Sequence, residues 1–460
     1  MDTIAAIATG KAPVAIGVIR ISGPETDAVV GRVFHPDCQK AFSELESRRF
    51  FMGRMLDAEG RVLDGGMAVR FPGPASYTGE DSAELHCHGS PVAMGELLLA
   101  LFAAGARQAR PGEFTQRAFL NGKLDLTQAE AVIDLIEAES PAAARNAAMQ
   151  LNGALSRSLS AVYESLTAIA SQFYAVVDYP DEDIEDLDVE RLTATLREAE
   201  ELLGRLLATW SRGRLLKSGV RTAIIGQPNA GKSSLLNALA GFDRCLVTDV
   251  PGTTRDTVEE SVLCGGALLR LIDTAGIRET DDLVEKLGVE RSKSAVEGAD
   301  LVLAVLDGTV EFTEEDSAIL ELASFCPHWL LILTKQDLRT DGAADVFDLP
   351  GEFPIPPQGI IPLSSVTGQG LDTLEAAVAA LFPAGTEDAG SLLTDPRQAD
   401  AVGRARSALC RGLDALRAGL TPDVVLADTE EAMGAIGELT GRTAKEDIVS
   451  AIFSRFCVGK

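Results

Sequence analysis

Val220–Leu235, VRTAIIGQPNAGKSSL, is the stretch whose reading decides the fold of the chain's centre. Val220 to Ile225 is a short apolar run with β-branched residues, which predicts a buried strand. Gly226 then opens GQPNAGKS: a glycine, four residues, then Gly231, Lys232 and Ser233. That spacing fits the phosphate-loop pattern. Glycines let successive main-chain N–H groups turn inward around an anion. Leu235, Leu236 and Leu239 follow at helical spacing, so the loop ends at a helix N-terminus, where the dipole also favours phosphate. Lys232 reaches the terminal phosphates, and Ser233 offers a hydroxyl to Mg²⁺.

Downstream residues select the base. Leu268 to Ile272 predicts a second strand, ending in Asp273-Thr274-Ala275-Gly276. An acid at that strand tip supports Mg²⁺, and the Gly276 amide meets a terminal phosphate. A third run, Leu330 to Leu333, ends in Thr334-Lys335-Gln336-Asp337. This resembles the guanine-reading Asn-Lys-x-Asp motif of GTPases. Asp337 would accept from the guanine N1–H and exocyclic amine, which adenine does not supply. Thr334 departs from the usual Asn, although a hydroxyl can still tie this loop to the phosphate loop. Ser364-Ser365, after a strand predicted over Gly359 to Leu363, resembles the last base-binding turn. Three motifs in this order point to GTP.

The chain has 460 residues, 46% of them hydrophobic, so several domains with full cores are expected. Its formal net charge of −28 argues against wholesale coating of nucleic acid. Seven scattered cysteines suit reduced thiols better than a disulfide framework. MDTIAAIATG lacks a basic region of the signal-peptide kind. The most apolar helix, Val92 to Ala106, contains Glu96 and is too short to span a bilayer. A soluble cytoplasmic protein is expected.

Before the phosphate loop, Val14 to Ile21, Gly66 to Arg70 and Ala83 to Cys87 read as strands and Val92 to Phe102 as a buried helix. His86-Cys87-His88 would alternate across a strand, and no further Cys or His pair accompanies it, so no zinc site is expected. From Lys123 the pattern becomes helical: Leu124, Leu126, Ala129, Val132, Ile133 and Ile136. Asp178 to Glu190 carries eight acidic residues and reads as a solvated loop. After the linker PAGTEDAGSLLTDP, helices resume from about Pro396 to Phe456. The expected architecture is an α/β domain at 1–118, a helical domain in two parts at 119–217 and 383–460, and a Ras-like P-loop GTPase inserted at 218–382. Insertion is plausible because domain termini often lie close together.

The N-terminal segments YTGEDSAELHCHG and RPGEFTQRAFLNGKLDLTQAEAVIDLI and the ending FCVGK complete a pattern. With the helix-flanked GTPase, they closely resemble the MnmE (TrmE) family of tRNA-modification GTPases over essentially the whole chain. Val458 stands where the family ending has Ile. The resemblance implies an N-terminal tetrahydrofolate-binding domain that forms a homodimer. It also implies a flavin-dependent partner, MnmG, in a heterotetramer or larger complex acting on tRNA. That complex installs an aminomethyl or carboxymethylaminomethyl group at C5 of the wobble uridine. Its one-carbon unit comes from a tetrahydrofolate derivative in the 5-formyl or methylene form. Folate-binding positions fall on Arg20, Glu84, Lys123 and Lys460.

Most small GTPases orient the attacking water with a Gln after the Asp-x-x-Gly, where this chain has Ile277. The resemblance supplies a substitute. K⁺ would sit on Asn229 and on carbonyls of Thr248, Val250 and Thr253, in place of an arginine finger. Glu285 would position the water, although alone it reads as a surface acid beside Lys286. Mg²⁺ would be held by Ser233 and Thr254. Nucleotide contacts are implied along Asn229, Ala230, Gly231, Lys232, Ser233 and Ser234, and along Thr248, Asp249, Val250, Pro251, Gly252, Thr253 and Thr254. Others fall on Asp273, Thr274, Ala275, Gly276, Thr334, Lys335, Asp337 and Ser364. Lys232, Glu285 and Cys457 are the catalytic candidates. Cys457 is a poor core element near the chain's end, and Arg455 and Lys460 would favour its thiolate. The main competing reading is a ribosome-assembly GTPase, which would be expected to carry a basic RNA-binding domain. A dynamin-like GTPase would need a hydrophobic paddle, and no such stretch is found.

Overall fold

The computed structural model describes residues 2–10, 13–178, 188–242, 260–272, 293, 295–339, 353–383, 390–443, 446–454 and 456–459. The chain divides into two compact units. One comprises 1–133, 150–201 and 401–460, and the other 134–149 and 202–400.

The first unit holds a seven-stranded sheet. Its strands are β1 (Ile4–Ile7), β2 (Val14–Ser22), β3 (Phe34–Pro36), β4 (Phe51–Leu56), β5 (Val62–Phe71), β6 (Ser82–Gly89) and β7 (Arg107–Gln108). Their order is β3-β4-β5-β6-β2-β1-β7, antiparallel except for β1 with β7. Alternation sorts the side chains of β2. Ile19 and Ile21 enter the main core with Leu85, Leu97 and Leu101. Arg20 therefore falls on the opposite face, where register pairs it with Ala6 on one side and Glu84 on the other.

The helix expected over Val92 to Phe102 spans Pro91–Ala103 and starts at a Ser90 cap. Only one of its faces is buried, through Met94, Leu97, Ala100 and Leu101. Val92 and Leu99 are 74% and 58% exposed, so a largely apolar stretch covers the sheet with one stripe only. Cys87 is buried, His86 lies near Glu84 and His88 pairs with Asp64, as alternation along a strand requires.

The helices of this unit include Ala154–Asp178, Val189–Ala208 as far as residue 201, Pro396–Arg417 from residue 401, Pro422–Thr440 and Glu446–Ser454. Of the acidic run expected as a loop, Asp178 ends the first of these helices, Val189 and Glu190 begin the second, and residues 179–187 fall outside the described ones. Leu126, Ala129 and Val132 pack on Val449, Ile452, Phe453 and Phe456. The helical periodicity read from Lys123 onward thus builds a core with the chain's last helix.

The second unit holds a six-stranded sheet: β8 (Val220–Gly226), β9 (Glu260–Cys264), β10 (Ala267–Ile272), β11 (Leu301–Asp307), β12 (Trp329–Thr334) and β13 (Ile360–Pro362). The order β13-β12-β11-β8-β10-β9 is parallel except for β9 with β10. Near-continuous apolar runs are what a sheet covered on both faces requires. Leu301, Leu303 and Val305 enter one core cluster, and Val302, Ala304 and Leu306 enter the other. The loops at the carboxyl ends of such strands form the ligand crevice.

The expected linker after the GTPase is packed where it is described. Leu392 and Leu393 are buried. The Gly390 N–H donates to Asn146 Oδ1 at 2.8 Å, and the Thr394 hydroxyl donates to Asp134 Oδ2 at 3.0 Å. Two adjacent leucines supply the apolar area that a free linker lacks.

Candidate nucleotide and N-terminal sites

β8 ends at Gly226, and the loop turns through Asn229 at φ 61° and Gly231 at φ 98°. A Cβ on Gly231 would be strained by that φ and would also press on the Thr334 side chain at 3.2 to 3.4 Å, so glycine suits the position. The Lys232 ammonium folds back across the loop, donating to the carbonyls of Gly226 at 2.8 Å and Gln227 at 2.7 Å. Burial pushes its pKa down, which an incoming phosphate would reverse by favouring the charged form. Ser233 and Ser234 lie exposed on the first turn of the helix Lys232–Phe242, and Ala230 is buried. Gln227 Nε2 reaches Thr313 and Asp316, both at 2.8 Å, anchoring the loop's start.

Thr334, at the end of β12, is 2% exposed. Its Oγ1 lies 2.6 Å from the Ala230 carbonyl and 3.0 Å from that of Leu306. Both are acceptors, so a single hydroxyl proton joins the base-reading turn to the phosphate loop. Thr334→Val keeps the shape and removes the hydroxyl donor that ties the Ala230 carbonyl, a loss of about 1–3 kcal/mol. Nucleotide titration should show weakened GTP and GDP binding with the preference over ATP retained. Native affinity in that variant would remove Thr334 from this role.

Lys335 adopts φ 58°, and its ammonium pairs with Asp307 Oδ2 at 2.6 Å. Burial would raise the Asp307 pKa, but hydrogen bonds from Lys335 and Thr309 outweigh it and hold the carboxyl below its ordinary range. Asp337 is exposed, with Oδ1 accepting from the buried Ser364 hydroxyl at 2.6 Å. Ser364 is itself fixed, its N–H donating to the Gln369 carbonyl at 2.9 Å. The described nucleotide candidates therefore cluster at the carboxyl ends of β8 and β12 and the turn after β13. The residues at 248–254, 273–276, 277 and 285 lie outside the described residues.

In the N-terminal unit, Arg20 Nε and Nη2 both donate to Glu84 Oε1, at 3.0 and 2.9 Å. Tyr77 and Phe114 flank the guanidinium, with ring centroids 5.4 and 5.9 Å from it. The Lys123 ammonium donates to the Pro74 carbonyl at 3.0 Å, on the loop that carries Tyr77. Lys460 and Arg455 lie outside the described residues. Cys457 is exposed, and its carbonyl accepts from the Gly112 N–H at 3.4 Å. Val458 forms an antiparallel bridge with Pro111. Gly112, at φ 66°, has no room for a Cβ, which would meet the Phe453 carbonyl at 2.5 Å. The tail thus docks at the start of the helix Glu113–Leu120, whose second residue, Phe114, flanks Arg20.

Sequence reading missed Tyr77, Phe114 and Asp307. Asp307 ends an apolar run, the same signal that marked Asp273. The two aromatic residues carry no local signal, because a loop and a helix start far away in sequence bring them to Arg20.

A family model described as "GTP-binding protein TrmE N-terminus" matches residues 3–123, and one described as "MnmE helical domain" matches residues 126–457. The curated tRNA modification GTPase MnmE of Roseiflexus castenholzii is 43% identical over 471 residues, covering 100% of this chain and 99% of the relative. The chain belongs to the MnmE family of tRNA modification GTPases. A second MnmE, from Heliobacterium modesticaldum, is 40% identical over 469 residues with the same coverage. Among solved structures, Aquifex aeolicus Era bound to GDP.AlF4- aligns over 41% of this chain and 66% of its own, at 26% identity and a TM-score of 0.27. Among the described residues of this MnmE-family chain, no helix is long and apolar enough to cross a membrane.

Proposed function

We propose that this protein hydrolyses GTP in the cytoplasm as part of a complex that adds an aminomethyl-type group to C5 of the tRNA wobble uridine. The observation that carries the reading is the Asp337 carboxylate, held by Ser364 beside a phosphate loop, in a chain that matches tRNA modification GTPases end to end. Ser233, Lys232 and Asp337 take the metal, phosphate and base ends of GTP. Mg²⁺ bound to the nucleotide and to Ser233 and Thr254 supplies charge neutralisation at the phosphates. Asn229 and the carbonyls of Thr248, Val250 and Thr253 suit K⁺, an oxygen-ligated cation, in a homodimer of GTPase domains. Glu285 orients the attacking water in place of the absent glutamine.

Hydrolysis is accordingly expected to be fast in K⁺ and slow in Na⁺ at matched ionic strength. Equal rates would remove the K⁺ site. Normal turnover by Glu285→Ala in K⁺ would remove Glu285, since a water-positioning group contributes about 10²–10⁴-fold.

The second site takes a tetrahydrofolate derivative as one-carbon donor. Its chemistry fits the residues present: Glu84 is an acceptor for paired N–H donors, and Lys123 is a cation for carboxylates. Lys460 adds a further cation, and Cys457 acts in the modification step. MnmG, the flavin-dependent partner, and tRNA complete the complex. Tight binding of 5-formyltetrahydrofolate to the isolated protein is expected, and its absence would overturn the folate reading.

A further inference from the structure

We infer that Asp307 is a positioning residue for guanine recognition: it holds the Lys335 ammonium away from Asp337 and so keeps that carboxylate charged toward the base. This rests on the reading of Asp337 above. Asp307 ends β11, and strand register sets it opposite Thr334, next to Lys335. Its two carboxylate oxygens have separate duties. Oδ1 accepts from the Thr309 N–H at 3.0 Å and from the Thr309 hydroxyl at 2.7 Å. Oδ2 is thereby aimed at Lys335 Nζ, 2.6 Å away.

The two turns that carry this pair are packed on each other. The Gly308 N–H donates to the Thr334 carbonyl at 3.1 Å. A Cβ on Gly308 would stand 2.3 Å from Gln336 Nε2 and 2.8 Å from the Thr334 carbonyl oxygen. Lys335 itself sits at φ 58° and leads into the single turn Gln336–Leu338 that holds Asp337. A lysine two residues before a carboxylate, on a flexible four-carbon stem, is drawn to that carboxylate unless another acid holds it. An ammonium on Asp337 would compete with the N1–H and 2-amino donors of guanine for its oxygens. The Ser364 hydroxyl, which donates to Asp337 Oδ1, fixes the direction of that carboxylate without cancelling its charge. Asp307 takes the ammonium and Ser364 takes the orientation, so the acid keeps its full strength as an acceptor.

The test titrates the full-length protein by calorimetry with GDP and with inosine diphosphate, which lacks the 2-amino group. The native chain should prefer GDP by about tenfold, the worth of one hydrogen bond to a charged acceptor. Asp307→Asn keeps an oxygen for Thr309 and loses the charge that holds Lys335. In that variant GDP should weaken more than inosine diphosphate, and the preference should fall below about threefold, because a carboxylate engaged by an ammonium is a poorer acceptor. In a Lys335→Met background, where no ammonium remains to be misplaced, Asp307→Asn should leave the preference at the value of Lys335→Met alone. An unchanged preference in Asp307→Asn, including an equal loss for both probes as from a damaged turn, would overturn the inference. So would a fall in preference of the same size in the Lys335→Met background. Equal binding of the two probes by the native chain would instead overturn the reading of Asp337 on which the inference stands.

Discussion

Asp337→Asn is expected to turn a GTP hydrolase into one that prefers xanthosine triphosphate. The carboxylate offers two acceptors to the N1–H and 2-amino donors of guanine. An amide offers one acceptor and one donor. The Ser364 hydroxyl holds Oδ1 at 2.6 Å, so in the variant an amide oxygen can keep that contact while the amide nitrogen turns to the base. Against guanine the nitrogen then meets a donor, and a mispaired buried polar group costs about 1–3 kcal/mol. That corresponds to roughly 5- to 150-fold in affinity, since about 1.4 kcal/mol is tenfold. Xanthine carries a carbonyl at that position and restores the pair. Competition titration with both nucleotides reads the switch directly. A variant that still prefers GTP would detach Asp337 from base reading.

The second large effect is expected at the tail. Cys457→Ser should leave GTP turnover near native and abolish the modified wobble uridine. The docking of residues 457–459 is made by main chain: the Cys457 carbonyl on Gly112, the Val458 bridge to Pro111, and Gly459 close to the Ile7 carbonyl. The thiol takes no part in those contacts, so the substitution leaves the tail in place and removes only the sulfur chemistry. A serine hydroxyl provides no comparable nucleophile at neutral pH, whereas a thiol reacts through its thiolate. Modified uridine at native levels in the variant would make Cys457 a bystander of the docking. Lost GTP turnover would show that tail and nucleotide site are not separate.

How much of this was legible beforehand follows from whether a signal is local. β8, β11 and β12 are apolar runs buried on both faces, and the motif residues sit at their carboxyl ends, so one short window contains both strand and site. The phosphate loop and the Thr334–Asp337 turn were readable for that reason. The substitution of Thr for Asn at 334 was readable as a departure, and its hydroxyl contact with the Ala230 carbonyl supplies the tie expected of it.

The N-terminal site is different in kind. Arg20 and Glu84 are 64 residues apart and meet through the register of β2 with β6, which no window of sequence contains. Tyr77 and Phe114 join them from a loop and a helix start. The resemblance named Arg20 and Glu84 without saying that one holds the other. Likewise no local signal ties Gly112 to the tail, because that contact depends on the placement of Phe453 and Phe456. The segment PAGTEDAGSLLTDP read as a linker between the GTPase and the helices that follow it. Its two leucines are buried and lie beside Gly213, far away in sequence.

The most direct test of the central claim is mass spectrometry of tRNA nucleosides from cells in which this chain is the only protein of its family. The account predicts a C5-aminomethyl-type wobble uridine when the native chain is present, and its loss when Lys232→Ala replaces it. Modified uridine that persists with Lys232→Ala, or never appears with the native chain, would contradict the account.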